Sequence, residues 1–200
     1  MKTSTRQRRP AFDREQGVLV AQSLFHTHGY DAVSIADLTQ ALGVVPPSLY
    51  AAYGSKLELF ERALHHYIAA DFLPLEAILA SGGTPSKVLT DLFIAAARHY
   101  TRDPVRRGCM VTEAMRADDD KAAAMATKLA GFGIEIIRAY VAAHAPASKV
   151  DRITDYVLMT LRGISSYACL GYTQAKLVEC SKIAGKALDI EFSMANAKSK

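Results

Sequence analysis

The basic side chains near the N-terminus are the most concentrated charge in the sequence. Lys2, Arg6, Arg8 and Arg9 lie within the first ten residues, which contain no acidic residue, and the formal net charge of the chain is +4. The remainder of the chain is therefore balanced in charge. A flexible basic arm over residues 1–10 is attracted to nucleic-acid phosphates and fits a minor groove. A solvated tail without a partner has the same composition.

The histidines and aspartates do not form a pattern typical of a metal site or a catalytic centre. His26 and His28 are two residues apart, and His65 and His66 are adjacent, so neither pair shares a helix face as ligands at i and i+4 do. The aspartates at 118–120 stand where a helix is predicted to begin, and carboxylates stabilise that positive end. The sequence also has no nucleophile elbow, Walker loop or zinc-protease motif. We therefore expect no metal, no cofactor and no enzymatic activity.

Cys109 is the one candidate for reactive chemistry. Arg106 and Arg107 precede it and a helix is predicted to begin there, two features that favour the thiolate. A redox or electrophile sensor is one interpretation, and simple packing in a helical core is the other. Cys169 and Cys180 add no CxxC pair, so neither a disulfide framework nor a cysteine zinc site is predicted.

Helix start and stop signals follow one another along the chain, whereas strand signals are nearly absent. Capping residues and glycine stops predict helices at about 13–28, 34–42 and 46–53, and a long one from 55. Pro46 and Pro47 suit the first turn of the third helix, where an amide lacks an intrahelical acceptor anyway. After a loop at 81–85, further helices are predicted at about 86–102, 109–117, 120–143, 149–170 and 174–195. The expected fold class is all-α.

The second and third predicted helices, with Gly43 in the turn between them, have the spacing of a helix-turn-helix, which presents its second helix to the major groove. A helical hairpin without a DNA role has the same spacing. The string SIADLTQALGVVPPSLYAAYGSKLELFERAL, which begins at Ser34, resembles the signature of the tetracycline-repressor (TetR) family in register. RRGC at 106–109 and GISSYACLGYTQAKL at 163–177 add a weaker resemblance.

This resemblance implies a dimeric, all-helical repressor whose larger domain binds a small effector. The expected organisation is a flexible basic arm at 1–10 and a DNA-binding head of three helices at 11–65, with its helix-turn-helix at about 34–53. A C-terminal helical bundle for effector binding and dimerisation follows at 66–200.

Carried over residue by residue, the resemblance puts Ser34 at a DNA phosphate, and Tyr50 and Lys56 on the backbone flanking the third helix. Their chemistry agrees, because hydroxyls and ammonium groups near helix starts reach phosphate oxygens. Ser48 and Ala51 are candidates for base edges, Ala51 by apolar contact only. The predicted DNA-binding residues are Arg6, Arg8, Arg9, Ser34, Pro46, Pro47, Ser48, Tyr50, Ala51, Tyr53 and Lys56.

The third helix departs from the common family pattern at its start. Val45 stands where a small polar residue often caps the helix and contacts phosphate, and valine does neither. Pro46 and Pro47 remove two side chains that hydrogen-bond to bases. We therefore expect operator specificity to depend on Ser48, the arm and DNA shape.

The last two predicted helices carry apolar residues at three–four spacing, which is typical both of a core and of a dimer seam. The resemblance implies a homodimer through these helices, at about 149–170 and 174–195, on a pseudo-palindromic operator of double-stranded DNA. Apolar and polarisable side chains of the middle helices are candidates for effector contact, although each also suits a core. They are Tyr100, Met110, Met115, Phe132, Tyr156 and Met159.

The bulk composition favours a soluble protein. The chain has 200 residues, 50% of them hydrophobic, and no apolar run approaches the roughly 20 residues of a membrane span. The N-terminus lacks the apolar segment of a secretory signal, so we expect a cytoplasmic protein without membrane contact. A helical module that binds a partner protein, without DNA, is the competing interpretation.

Overall fold

The structure is a computed structural model that describes the backbone of residues 13–196 and the side chains of residues 13–193. All regular elements within these ranges are α-helices, ten of them, so the predicted all-α class is confirmed. Among them, none is both long enough and apolar enough to cross a bilayer.

Three helices form the N-terminal head, α1 (Arg14–His28), α2 (Ile35–Leu42) and α3 (Pro46–Tyr53), and the first part of α4 (Lys56–Asp71) completes it. They begin at the predicted caps. Asp13 accepts the amides of Glu15 and Gln16 at 3.0 and 3.1 Å. At α2, the Ser34 hydroxyl accepts the Asp37 amide at 3.1 Å while the Asp37 carboxylate accepts the Ser34 amide at 2.8 Å, a reciprocal capping box.

The α2 and α3 helices are two turns each and are too short to be stable alone, so tertiary packing holds them. Leu38 of α2 and Leu49 of α3 are fully buried against α1 and α4. Beneath them the rings of Phe25 and Phe60 meet edge to face, with centroids 5.0 Å apart, and the Tyr30 ring lies 4.8 Å from Phe60. This packing fixes the position and orientation of α3 on the head.

Six further helices form the C-terminal bundle: α5 (Leu75–Leu79), α6 (Pro85–His99), α7 (Met110–Ala114), α8 (Asp120–His144), α9 (Ala147–Cys169) and α10 (Gln174–Asn196). Helices α6, α9 and α10 pack on one another, and α8 packs against α7 and α9. The carboxylate of Asp119 caps α8 by accepting the amides of Lys121 and Ala122 at 3.0 Å each. The capping role predicted for the aspartate run is confirmed.

Two helix predictions are corrected. The α5 helix was not predicted, because one turn after Pro74 is too short to show periodicity. The α7 helix spans five residues instead of the predicted 109–117.

The periodic apolar residues of α9 and α10 belong to the core. Val150, Ile153, Val157, Leu177 and Leu188 are buried within the bundle, whereas Cys180, which shares the predicted stripe, is exposed. Core packing, one of the two open interpretations, is therefore the correct one for this face. Other large apolar side chains on the same helices remain exposed: Met159, Tyr167, Leu170, Ile183 and Ile190.

Helices α6 and α10 approach each other closely at Gly185. A Cβ there would lie 2.3 Å from Thr90 Oγ1 and 2.7 Å from Thr90 Cγ2. Thr90 cannot move aside easily, because its side chain is β-branched and its hydroxyl donates to the Ser86 carbonyl at 2.7 Å.

We therefore expect Gly185→Ala to lower the free energy of unfolding by about 1–3 kcal/mol through overpacking, although alanine favours a helix by about 1 kcal/mol. The matched control is Gly131→Ala in α8, where a Cβ meets nothing within 4 Å. That exchange should raise stability by up to about 1 kcal/mol. Urea unfolding measures both, and a Gly185→Ala protein as stable as the wild type would contradict the close approach.

Candidate nucleic-acid interface and the adjoining cavity

The outer face of α3 is the most accessible part of the head's helix-turn-helix. Pro46, Pro47, Ser48 and Ala51 are exposed, and the Tyr50 side chain is 47% exposed. Leu49, between them in sequence, is fully buried. The α3 helix therefore presents one hydroxyl-bearing face outward while its opposite side anchors it to the head.

Tyr53 does not belong to this face, and its predicted DNA contact is wrong. Its side chain is 1% exposed, and its hydroxyl donates to the Arg14 carbonyl at 2.9 Å. The residue lies on the inward side of α3 and ties α3 to the start of α1. A buried phenol already bonded to the backbone has no access to a phosphate.

Ser34 lies at the N-terminus of α2, as predicted, and is exposed. Its hydroxyl donates to Asp37 Oδ2 at 2.6 Å, and hydrogen bonding from Ser34 lowers the pKa of Asp37 below its usual 3.8. The capping role and the predicted phosphate contact therefore use the same hydroxyl.

Lys56 is only partly accessible. Its Nζ lies 4.0 Å from the centroid of the Tyr30 ring. Burial lowers its pKa, while the charges of Asp31 and Asp119 act in the opposite direction. In this structure the ammonium group is held near the junction of head and bundle, so a phosphate has to draw it away from Tyr30.

The start of α3 has the features expected from its sequence. Val45 is the N-cap residue, has no side-chain capping hydrogen bond, and is exposed. Pro46 and Pro47 occupy the first two helical positions, where no amide is lost. Arg6, Arg8 and Arg9 lie outside the described residues.

The head is joined to the bundle by two sets of hydrogen bonds that the sequence analysis did not anticipate. The Asp31 carboxylate accepts the amides of Asp118 and Asp119 at 2.8 and 3.2 Å. The His26 Nε2 lies 3.2 Å from the Gly108 carbonyl oxygen. Since these partners are about 80 to 90 residues apart in the chain, no local pattern reveals them.

A cavity lies inside the bundle, next to this joint. It opens to solvent. Tyr100, Met115 and Cys109 line it, which places three of the predicted residues together. The other lining residues are Phe72, Leu73, Leu75, Val111, Thr112, Ala130, Gly133, Ile134, Ile137, Leu158, Leu161 and Arg162.

The remaining predicted effector residues do not line this cavity. Met110 is buried, but faces a crevice between α1 and α7. Tyr156 donates its hydroxyl to the Ala184 carbonyl at 2.9 Å, across α9 and α10. Met159 and Phe132 are each 68% exposed. These four residues lie outside the cavity lining, and effector contact at each of them stays a prediction.

Cys109 is 2% exposed and is the N-cap residue of α7. The helix start predicted beside it is confirmed. The two arginines are directed elsewhere: Arg106 pairs with Asp103 at 2.7 Å, and Arg107 Nε donates to the Ala168 carbonyl at 2.6 Å. The Cys109 thiol therefore lies at the cavity wall, and neither Arg106 nor Arg107 is directed toward it.

Metal ligands are not clustered in this part of the chain. Among the described residues, no group of three or more histidine, cysteine, aspartate or glutamate side chains is placed to hold a metal ion.

Comparison with known proteins identifies the fold. Residues 19–63 match the family model described as bacterial regulatory proteins, tetR family. Over 177 residues the chain is 35% identical to the HTH-type transcriptional repressor BdcR of Escherichia coli (strain K12), covering 88% of this chain and 89% of BdcR. The chain belongs to the TetR family.

Two further proteins are similar to this chain. The HTH-type transcriptional repressor ComR of Escherichia coli (strain K12) is 35% identical over 108 residues, covering 54% of this chain and 51% of ComR. A solved structure of a cysteine mutant of the TetR family transcriptional regulator CifR, complexed with 26-base-pair operator DNA, matches with a TM-score of 0.79. It is 27% identical and covers 90% of this chain and 99% of that one. The protein is a TetR-family DNA-binding transcriptional regulator.

Two tyrosines of α3 provide a matched test of the interface. We expect Tyr50→Phe to leave stability unchanged and to weaken DNA binding by a few-fold for all sequences, since it removes a hydroxyl placed to reach the backbone. We expect Tyr53→Phe to lower the free energy of unfolding by about 1 kcal/mol through loss of a buried hydrogen bond, with affinity retained. Fluorescence anisotropy with labelled DNA and urea unfolding distinguish the two, and reversed effects would contradict this placement.

The contact between head and bundle at His26 predicts how stability depends on pH. Burial, the main cause, lowers the pKa of His26 below 6.5, so the folded state favours the neutral ring. The resulting stability is complete above pH 6.5 and is lost as the pH falls below it. We expect His26→Gln to reduce this acid-side loss, measured by urea unfolding at about pH 8 and about pH 5.5. The control, exposed His28→Gln, should keep the wild-type slope; an unchanged slope in His26→Gln would refute the assignment.

Proposed function

We propose that this protein is a repressor that binds a pseudo-palindromic operator as a homodimer and leaves it when a small effector enters the bundle. The observation that carries the proposal is the position of α7. Val111, Thr112 and Met115, on or just after α7, line the cavity, while Gly108, just before it, meets His26 of the head. One short element thus touches both the effector cavity and the DNA-binding head.

Release requires an effector that binds one arrangement of the head more tightly than the other. A ligand in the cavity presses on α7 and on the loop before it. Movement of that loop shifts the acceptor of His26, and movement after α7 shifts the amides bound by Asp31. Both contacts hold α1 and the turn after it. When these contacts shift, the head rotates relative to the bundle, and the spacing between the two heads of the dimer changes.

The dimer uses the outer faces of α9 and α10. Met159 and Leu170 lie eleven residues apart on α9 or at its end, and Ile183 and Ile190 seven apart on α10, spacings that keep each pair on one helical face. All four side chains are exposed in the single chain. Packing two copies through these faces forms a four-helix interface and sets two heads side by side.

The protein acts on DNA in the cytoplasm, and its function is binding rather than catalysis. The relatives named as transcriptional repressors support this role. The thiol-sensing role of Cys109 stays a prediction, supported by its position at the cavity wall.

The dimer and its DNA binding are tested together. We expect the double variant Ile183→Asp/Ile190→Asp to become monomeric in light scattering, because burying two aspartates in an apolar interface is unfavourable. Its affinity for DNA from upstream of the gene should fall by about tenfold or more, since one head alone makes half of the contacts. The control is Val105→Asp, an equally exposed apolar residue outside α9 and α10. A dimeric double variant with full affinity would overturn the proposed interface.

A further inference from the structure

Two further spaces border the cavity in the bundle. It shares Phe72, Leu73, Leu75 and Gly133 with an open groove on the bundle surface. It shares Thr112 and Arg162 with a second open pocket. The cavity therefore shares side chains with both neighbouring spaces, and the chemistry of the groove differs from that of the second pocket.

The groove is apolar. Beyond the residues that it shares with the cavity, it is lined by Ile68 of α4 and by Leu129, Phe132 and Ile136 of α8. Phe132, whose ring is largely exposed, stands at this lip. Glu76 is the only charged lining residue. An uncovered aromatic and aliphatic surface that continues into a cavity suits a hydrocarbon chain.

The second pocket is cationic. Arg162 is the only charged residue that lines the cavity. Its Nη2 lies 3.3 Å from Met115 Sδ, and it forms no ion pair within the described part of the chain. Arg116 and Glu113, which pair weakly at 3.4 Å, line the adjoining pocket. A guanidinium group without a carboxylate partner is suited to bind an anion through two parallel hydrogen bonds.

Two of the side chains that line the cavity carry hydroxyl groups. Tyr100 and Thr112 line the cavity, and burial raises the pKa of Tyr100 well above 10.0, so its phenol keeps its proton. Both side chains are able to donate a hydrogen bond to an oxygen-bearing head group. No acidic side chain lines the cavity itself, which disfavours a cationic ligand.

From this arrangement we propose that the effector is a straight-chain carboxylate. Its carboxylate binds Arg162, with Tyr100 and Thr112 nearby, and its hydrocarbon chain crosses the cavity past Gly133 into the groove beside Phe132. This inference rests on the proposed function, because it names the chemical class of the ligand that enters the same cavity.

Gly133 lies where the cavity and the groove meet the same side chains. A Cβ at this residue would lie 3.3 Å from Leu75 Cδ1 and 3.8 Å from Phe72 Cζ, two side chains that belong to both the cavity and the groove. A larger side chain at 133 therefore fills the junction. At Gly131, two residues earlier on the same helix, a Cβ meets nothing within 4 Å. The two glycines form a matched pair for substitution.

The proposed path of the hydrocarbon chain is tested by calorimetry on the full-length protein without DNA. The ligands are hexanoate, decanoate and hexadecanoate, each below its micelle-forming concentration. In the wild type and in Gly131→Val, affinity should rise along the series by up to about fourfold per methylene. In Gly133→Val the rise should stop once the chain reaches the junction. Phe132→Ala, which changes an exposed side chain and leaves the core intact, should weaken binding of hexadecanoate only. Equal chain-length dependence in all four proteins would overturn the proposed path.

The head group is tested with Arg162→Gln, using decanoate and the alcohol of the same chain length. Loss of the guanidinium should weaken decanoate binding by about tenfold or more and leave alcohol binding unchanged. The control is Arg152→Gln, also on α9, whose guanidinium is already paired with Glu191 at 2.5 Å. Equal weakening of both ligands, or no binding of any carboxylate by the wild type, would overturn the inference.

Operator release is measured separately by anisotropy with the same carboxylates. Binding with the expected length dependence but without release supports the ligand class and contradicts the effector mechanism instead. If the ligand-free wild type does not bind operator DNA, the proposed function is wrong, whatever the result of the carboxylate titrations.

Discussion

The segment Arg107–Cys109 is the constraint on which both functional regions depend. It is held to α9 by Arg107 Nε, which donates to the Ala168 carbonyl at 2.6 Å, and by the Cys109 amide, which donates to Ser165 Oγ at 2.9 Å. Gly108 adopts a φ of +79°, and a Cβ there would lie 2.5 Å from Cys169 Sγ. Only glycine satisfies both this backbone conformation and the available space. The Gly108 carbonyl is thereby free to face His26 of the head.

The position of α7 follows from this anchor. Since α7 begins directly after Cys109, the same hydrogen bonds that fix the loop also set the cavity wall formed by Val111 and Thr112. A ligand that enters the cavity contacts this short, well-anchored element. That arrangement suits a two-state response, because closely packed elements shift between discrete positions instead of deforming gradually.

Charge at the joint links the two regions in a second way. Asp31 is occupied by two amides from the start of α8, and Lys56 lies close enough to Asp31 and Asp119 for their charges to affect its pKa. A lysine that helps to hold the joint is only partly available to DNA. The DNA contact predicted for Lys56 and the head–bundle contact therefore involve the same side chain.

Local chemistry made much of the head predictable. Caps such as Asp13 and Ser34, the glycine after α2 and the prolines of α3 act within a few residues, so they can be read from the order of residues alone. The family resemblance and the exposed face of α3 rest on the same short-range pattern. Periodicity also located α8, α9 and α10, because long amphipathic helices repeat their signal.

Long-range packing decided the rest. The direction of a helix face depends on which elements pack against it. This decides whether Tyr53 faces DNA or the core, and whether the apolar stripes of α9 and α10 face inward. It also decides whether Met159 or Arg162 lines the cavity. The same holds for the contacts of His26 and Asp31, whose partners are about 80 to 90 residues away in the chain. A helix carries the same apolar repeat whether its neighbour is a core, a ligand or a second subunit, so only the assembled bundle distinguishes these cases.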